Sequence, residues 1–481
     1  MAGYIPVIGL EIHAELLTQS KVFCTCSASF GGTPNSRCCP VCSGFPGTLP
    51  VINQTAVEYA IKAGFALNCG INQFSVFDRK NYFYPDLPKA YQISQLNLPL
   101  CINGLVPVEY TENGEKKTHD IRINRIHLEE DAGKLTHNDL DGVSFADYNR
   151  CGIPLIEIVT EPDIGSAEEA KAFVEKVSLL LQYAGVCDCK MEQGSLRCDV
   201  NISIMKPTDT ELGTRAEIKN LNSVKAIGRA IEFEIYRQSK LLDMGGRVVQ
   251  ETRRFDDNKG ETKSMRSKEN ANDYRYFPEP DILQVNISDE QLSEIKAKMP
   301  EMPDKRLERY LADYAISETD ALIIINNKII ADFYDEAVRT YNNPKAVCNF
   351  ITGEMMRRIN IGEIDINEIT FTPEQLAKIV MMAETDVINK SNAKDVFRAL
   401  VENPCDPEKI AADMGFVISN DSGKMIEVIE QVMSDNPKAV EQYKNGETKV
   451  FGFLMGQCSK ALKGIATSKA IKDELEKRLS R

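Results

Sequence analysis

The feature that most constrains the fold of this chain is a stretch near its N-terminus, residues 7–16, in which polar and apolar residues alternate. Successive side chains of a β-strand point to opposite faces, so the pattern predicts a strand with one buried face. Its polar face presents two carboxylates and an imidazole: Glu11, His13 and Glu15. Oxygen and imidazole donors of this kind bind divalent cations. A solvated polar face has the same spacing, so this stretch alone leaves both interpretations open.

The remainder of residues 1–290 predicts a single domain of mixed strands and helices. Apolar and alternating runs predict strands at 106–110, 119–126, 154–160, 196–204 and 215–221. Capping signals and helical periodicity predict helices that begin at Thr55, Ser166 and Ser223. The order is neither a strict βαβ alternation nor a repeat. We therefore expect an α+β fold with a mixed, largely antiparallel sheet.

From about residue 290 the pattern becomes helical. The run Asn403-Pro404-Cys405-Asp406-Pro407 interrupts the helices and predicts a hinge. The expected organisation is therefore an all-α linker domain over residues 291–405 and a small all-α tail domain over residues 406–481.

Composition narrows the class of protein. The chain has fourteen cysteines, no secretory leader pattern and no apolar run that would span a membrane. We therefore expect reduced thiols and a cytoplasmic location. The net charge of −14 argues against indiscriminate nucleic-acid binding. Residues 441–481 nevertheless carry nine Lys and Arg against five Asp and Glu. This basic tail is compatible with polyanion binding and equally with a solvated helical end.

A cysteine pattern predicts a structural zinc site in the loop of residues 24–42. Cys24 and Cys26 form a C-x-C pair, and after twelve intervening residues Cys39 and Cys42 form a C-x-x-C pair. Four thiolates at these spacings can close a tetrahedral zinc site, which would brace the loop and take no part in catalysis. Cys38 breaks the spacing and is expected to be a bystander. Unliganded or redox-active thiols are the alternative interpretation.

Carboxylates are the main catalytic candidates. Glu157 lies in an almost wholly apolar predicted strand, where a bare charge is costly unless it is paired or bound to a metal. A salt bridge to a buried arginine would explain it without a metal. Glu130 belongs to an acidic group expected just past a strand end, and Asp199 and Glu217 lie on the polar faces of alternating strands. Together these acids would supply oxygens for two cations, as metal-assisted phosphoryl transfer requires.

Several common catalytic motifs do not occur. The chain has no G-x-x-x-x-G-K-[ST] loop, no G-x-G-x-x-G and no G-x-S-x-G, and it has only four histidines. If ATP is a substrate, metals and scattered basic side chains must bind it.

Five longer motifs and the tail closely resemble the B subunits of the aspartyl/glutamyl-tRNA(Asn/Gln) amidotransferases, the GatB family. The motifs are VIGLEIH at 7–13, DRKNYFYPD at 78–86, LEEDAGK at 128–134, GSLRCD at 194–199 and DYRYFPEPD at 273–281. The tail segment FGFLMGQ at 451–457, followed by Lys460 and Lys463, is similar to the small YqeY-type helical proteins. The resemblance implies a kinase-like cradle domain, a helical linker domain and a tRNA-binding tail domain.

The resemblance also implies a reaction and its partners. The side-chain carboxylate of Glu or Asp misacylated onto tRNA is phosphorylated by ATP. Ammonia, which a separate amidase subunit releases from glutamine, then displaces the phosphate. The heterotrimer is completed by a small third subunit. The product is Gln-tRNA(Gln) or Asn-tRNA(Asn).

The resemblance assigns roles to individual residues. It implies a Mg²⁺ and ATP site at Glu11, His13, Glu130, Glu157, Asp199 and Glu217. It places Lys80 and Lys89 in the polar lining of an ammonia path and Lys460 and Lys463 in tRNA binding. Only some family members keep the four zinc cysteines, so zinc is not expected to be essential for the chemistry.

Two other functions fit part of the sequence. A non-catalytic, zinc-containing RNA-binding scaffold of the translation apparatus would explain the cysteines and the basic tail, but it leaves Glu157 unexplained. An ATP-dependent ligase acting on a free amino acid would explain the acids and would not need the tail.

Overall fold

The computed structural model describes residues 3–138, 141–267, 274–418, 422–462 and 465–480. The chain divides into two compact units, residues 1–303 and 304–481. The first unit contains all the described strands and the second is helical, so the predicted α+β class is confirmed. The division into domains 1–290, 291–405 and 406–481 stays a prediction. Within the described residues, no helix combines the length and apolarity needed to cross a membrane.

The first unit is built on a nine-stranded sheet. The long strands of this sheet are β1 (Ile5–Glu15), β6 (Cys101–Glu112), β7 (Glu115–Glu130), β10 (Pro154–Thr160) and β11 (Leu196–Met205). Its shorter strands are β2 (Gly70–Ile71), β12 (Ala216–Lys219), β13 (Glu251–Asp256) and β14 (Glu261–Ser267). The strand order is β14-β13-β12-β11-β1-β10-β7-β6-β2. Every neighbouring pair is antiparallel except β12 and β13, which agrees with the predicted mixed, largely antiparallel sheet.

Small sheets and short elements surround the large one. They are β3 (Phe74–Ser75), β4 (Asp78–Asn81), β5 (Tyr91–Ser94), β8 (Lys134–Asn138), β9 (Val143–Asp147), β15 (Phe277–Pro278), β16 (Val285–Asn286) and a 3₁₀ turn, Met191–Gln193. The strands β15, β4 and β5 form a three-stranded sheet. This sheet joins the DRKNYFYPD motif, which contains β4, to the DYRYFPEPD motif, which contains β15. Arg79 on β4 reinforces this link through hydrogen bonds to Glu279 at 2.6 and 3.0 Å.

Four helices belong to the first unit: α1 (Gln54–Ala66), α2 (Ala167–Tyr183), α3 (Val224–Asp243) and α4 (Asp289–Ala297). The side chains of Ser166 and Ser223 cap α2 and α3 as predicted. The predicted start of α1 at Thr55 is wrong, because Asn53 is the cap and its side chain accepts a hydrogen bond from Thr55 N. Helices α2 and α3 pack against β6 and β11 and cover the apolar face of the sheet.

The second unit contains twelve helices among the residues described. They are α5 (Pro303–Ala312), α6 (Glu318–Ile325), α7 (Lys328–Thr340), α8 (Pro344–Phe350), α9 (Met356–Asn360), α10 (Pro373–Glu384), α11 (Lys390–Glu402), α12 (Pro407–Asp413), α13 (Ser422–Asp435), α14 (Pro437–Lys444), α15 (Val450–Ala461) and α16 (Ser468–Leu479). A π-helical turn, Ile351–Met355, precedes α9. Helix α12 packs against α10 and α11, whereas α13–α16 share their own apolar cluster around Leu454 and Leu475.

Candidate metal sites

The first group of potential metal ligands contains His13, Glu129 and Glu157. One donor atom of each side chain lies within 4.8 Å of the others. His13 Nε2 is 3.3 Å from a Glu157 oxygen and 3.9 Å from a Glu129 oxygen. The sheet produces this group, because His13 on β1 lies opposite Glu157 on β10.

The second group contains Glu11, Asp199 and Glu217, whose donor atoms also lie within 4.8 Å of one another. Glu11 on β1 lies opposite Asp199 on β11. The Asn201 amide donates to Glu11 Oε1 at 2.9 Å and orients that carboxylate. Glu11 and His13 are two residues apart on one strand face, a spacing of about 7 Å. The two groups therefore form adjacent sites on the polar face of the sheet.

A basic side chain contacts the carboxylates of each group. In the second group, the Lys219 ammonium contacts Asp199 and lies 3.4 Å from Glu217, which partly offsets the local negative charge. Burial alone would lower the pKa of Lys219, but the charges of these two carboxylates raise it. In the first group, burial would raise the pKa of Glu157, but the charge of His127 and the hydrogen bond to His13 hold it well below its usual range. Ionised carboxylates and an imidazole are suitable ligands for Mg²⁺ or a similar cation.

Glu130 lies outside both groups. Its carboxylate contacts the Lys89 ammonium and accepts a hydrogen bond from Ile93 N at 2.9 Å. Burial would lower the pKa of Lys89, but the charge of Glu130 raises it. These two residues border a cavity of about 230 Å³ that the loop around Cys42 also lines. The geometry thus separates Glu130 from the metal ligands with which the sequence had grouped it.

Glu129, which the sequence analysis did not single out, is the acid of this segment that lies with His13 and Glu157. The prediction ended the preceding strand near residue 126, but β7 continues to Glu130 and pairs with β10 as far as Pro154. Residues 127 and 129 therefore share the face of the metal groups, and residue 130 points to the other face. The period-two spacing of His127 and Glu129 was the signal that would have identified Glu129.

Lys80 lies beside the first group. Its ammonium is 4.9 Å from the centre of the Tyr274 ring and 5.9 Å from that of Tyr82. Burial would lower the pKa of Lys80, but the charges of Glu129 and Glu157 raise it. Lys80 and Lys89 therefore have different surroundings, although the sequence grouped them together.

Glu15, the third polar residue of the opening pattern, belongs to neither metal group. Burial and the neighbouring charge of Asp131 raise the pKa of Glu15 to about 8. Asp131 in turn lies 2.8 Å from the Arg197 guanidinium. Glu15 therefore lies with Asp131 and Arg197 in a separate charged group, outside both sets of potential metal ligands.

The four predicted zinc ligands converge. Donor atoms of Cys24, Cys26, Cys39 and Cys42 lie within 4.8 Å of one another, while Cys38 is not in the group. All fourteen cysteines, each of which lies in the described part of the chain, are free thiols. The buried Lys21 ammonium lies 3.6 Å from Cys42 Sγ. The hydrogen bond from Cys24, together with the charge of Lys21, lowers the pKa of Cys42 to about 4. A positive charge beside the thiols is suited to a tetrathiolate zinc site, whose net charge is negative.

The predicted tRNA contacts lie in the tail. Lys460 is exposed on α15, close in sequence to the exposed Phe453. Lys463 lies outside the described residues.

Comparison with known proteins identifies the family. The family described as GatB/GatE catalytic domain matches residues 6–293, and the family described as GatB domain matches residues 332–479. The chain belongs to the GatB family. The first GatB match contains both metal groups and the four cysteines, and the second contains α13–α16.

Curated relatives support the assignment over the full length. A protein of Ruminiclostridium cellulolyticum is 53% identical over 99% of this chain and 98% of its own length. A protein of Caldicellulosiruptor bescii is 51% identical over 98% of this chain and 99% of its own length. One from Lachnoclostridium phytofermentans is 50% identical over the whole of both chains. Each is named as the B subunit of an aspartyl/glutamyl-tRNA(Asn/Gln) amidotransferase. The family predicted from the motifs is confirmed, and with it the enzyme class, a tRNA amidotransferase subunit.

Proposed function

We propose that this GatB protein activates the side-chain carboxylate of Glu-tRNA(Gln), Asp-tRNA(Asn) or both with ATP. The γ-phosphoryl group passes to the carboxylate, which gives an acyl phosphate and ADP. Ammonia then attacks the acyl carbon and phosphate leaves, so the carboxylate becomes an amide. The observation that carries the proposal is the pair of adjacent ligand groups on one polar sheet face.

The protein groups divide this work between binding and charge stabilisation. His13, Glu129 and Glu157 would hold one Mg²⁺, and Glu11, Asp199 and Glu217 another. A bound Mg²⁺ would neutralise negative charge on the phosphate oxygens. The Lys80 ammonium faces Glu129 and Glu157, and its place beside this group suits it to contact an anionic oxygen of the reacting carboxylate or phosphate. Asn201 and Lys219 keep the second carboxylate group oriented.

We assign the Lys89–Glu130 pair to ammonia delivery. Glu130 is buried, the Lys89 side chain is 10% exposed, and both border the cavity beside the cysteine loop, apart from both metal groups. A buried polar pair offers hydrogen bonds to a small polar molecule that crosses a desolvated region. Zinc bound by the four cysteines would brace the loop on the other side of this cavity.

The same proposal names the partners. An amidase subunit would release ammonia from glutamine, and a small third subunit would complete a heterotrimer. The tail, with Lys460 and Lys463, would bind tRNA. The free state of all the cysteines is consistent with a cytoplasmic location.

The test is reconstitution of the chain with the amidase and the third subunit. ADP should form only when misacylated tRNA is present, and Glu157→Gln should reduce its rate about 10²-fold or more. An RNA-binding scaffold predicts no ADP from the wild-type complex. A ligase for free amino acids predicts ADP formation without tRNA. Either result contradicts the proposal.

A further inference from the structure

Thr252 on β13 contacts the second metal group from a neighbouring strand. It lies opposite Glu217 in the parallel pair that β12 and β13 form. Its Oγ1 donates a hydrogen bond to Glu217 Oε2 at 2.8 Å. Both residues are buried, where a hydrogen bond is electrostatically stronger than in water. The strand pairing thus places a neutral donor directly beside one carboxylate of the group.

The hydrogen bond gives the two oxygens of Glu217 different partners. Oε2 accepts from Thr252, whereas Oε1 lies 3.4 Å from the Lys219 ammonium. The same ammonium contacts Asp199, so Oε1 is the Glu217 oxygen on the side of the other ligands. Contacts of this kind hold a carboxylate in one rotational position. Thr252 therefore determines which oxygen of Glu217 faces the group.

The residue that follows Thr252 anchors β13 to helix α3. Arg253 Nε lies 3.0 Å from an oxygen of the buried Glu234 on α3, and it donates to Thr262 Oγ1 on β14 at 2.7 Å. Arg237 of the same helix donates to both oxygens of Glu234 at 2.9 Å. Buried polar networks of this kind rigidify the elements that they join. The donor to Glu217 is thus carried on a strand that α3 holds in place.

The second metal group also contains an amide oxygen suited to a cation. Asn201 lies opposite Glu217 in the pair of β11 and β12, and its Nδ2 donates to Glu11. Its Oδ1 is buried and has no hydrogen-bond partner within the parts of the chain that the structure describes. Buried polar atoms are normally paired, and hard divalent cations take amide as well as carboxylate oxygens. This oxygen supports cation binding at the group independently of the three acids.

We infer that Thr252 is a positioning residue for the cation held by Glu11, Asp199 and Glu217. Its hydroxyl holds Glu217 Oε2 and leaves Oε1 directed toward the other ligands. The inference rests on the proposed function, because that function places a cation at this group. Residues that hydrogen-bond to metal ligands orient them, and their mutation typically costs about 10–100-fold in metal affinity. Thr252 acts in this way through Glu217 and not on the cation itself.

The test measures Mn²⁺ binding to the full-length protein by electron paramagnetic resonance, which detects the free ion. Thr252→Val keeps the branched shape and removes the hydroxyl, so one of two Mn²⁺ sites should weaken about tenfold. Thr252→Ser keeps the hydroxyl and should bind Mn²⁺ like wild type. The matched control is Thr262→Val, which removes another buried hydroxyl whose partners are Glu234 and Arg253. It should leave both Mn²⁺ affinities unchanged.

Three results would overturn the inference while the proposed function stands. They are unchanged Mn²⁺ affinity in Thr252→Val, an equal loss in Thr252→Ser, and an equal loss in the control Thr262→Val. If Thr252→Val does not fold, Thr252→Ala also lacks the hydroxyl and replaces it with the same expected loss. If wild type binds fewer than two Mn²⁺ ions, the two-cation site of the proposed function fails, and the inference fails with it.

Discussion

Two adjacent glutamates on β7, Glu129 and Glu130, should act in different steps of the reaction. Glu129 lies with His13 and Glu157, whereas Glu130 contacts Lys89 at the separate cavity. Substitution of each by glutamine keeps the size of the side chain and removes one negative charge. The two variants make the same chemical change on opposite faces of β7, so a difference between them shows which face takes part in which step.

Glu129→Gln should damage the phosphoryl-transfer step. It removes a carboxylate 3.9 Å from His13 and leaves two of three ligands in the first group. We expect kcat to fall about 10²-fold or more, equivalent to ~2.7 kcal/mol of transition-state stabilisation. Because no acyl phosphate forms, added ammonium chloride should not restore the product.

Glu130→Gln should instead damage ammonia delivery. Its partner Lys89 would keep a buried positive charge without a counter-charge, which costs about 3–5 kcal/mol in comparable buried pairs. Glutamine-dependent amidation should fall by on the order of tenfold, as expected when a reactant is no longer guided to its site. Excess ammonium chloride should restore most of the product, because the metal groups are intact.

The assay measures amidated tRNA with glutamine and with ammonium chloride in the reconstituted complex, together with ADP. Lys89→Met combined with Glu130→Gln is the control for the uncompensated charge, since both charges are then absent. Two results would refute the assignment of Glu129 to phosphoryl transfer and Glu130 to ammonia delivery. One is that ammonium chloride restores the product in Glu129→Gln. The other is that Glu130→Gln loses as much activity with ammonium chloride as with glutamine.

Three further predictions concern zinc, the tail and pH. Purified protein should contain about one equivalent of zinc by metal analysis; Cys39→Ser should lose it, while Cys38→Ser should retain it. tRNA binding should be titrated over a range of salt concentrations. Lys460→Ala should weaken the affinity for tRNA and reduce the slope of log affinity against log salt concentration by about one. The control is Lys477→Ala on α16, which removes a lysine paired with a neighbouring glutamate and should change neither quantity. The pKa of Glu15 is raised from its ordinary value of 4.5 to about 8 in the folded state. Between these pH values the folded protein therefore keeps a proton on Glu15 that the unfolded chain has released. The free energy of unfolding should therefore fall as the pH rises from 4.5 to 8, by at most about 1.4 kcal/mol per pH unit. Urea unfolding at about pH 5.5 and 7.5 measures this difference, which should be smaller in Glu15→Gln.

Local patterns in the sequence were sufficient for much of the architecture. The predicted strand at 154–160 coincides with β10, and the predicted caps Ser166 and Ser223 begin α2 and α3. The C-x-C and C-x-x-C spacing identified all four thiols of the converging group. These features depend on residues close in the chain, where backbone periodicity and side-chain chemistry act directly.

Pairings between distant segments were decided only by the tertiary structure. The alternation of β1 indicated a polar face, but not that Glu11 would face Asp199 while His13 faces Glu157. Strand β7 extends beyond its expected end because β10 supplies hydrogen-bond partners as far as Pro154. That extension places Glu129, and not Glu130, beside His13 and Glu157, since one residue of displacement on a strand reverses the face. The sequence by itself determined which donor types and local elements are present, whereas strand register determined which of them meet, because register depends on contacts between residues far apart in the chain.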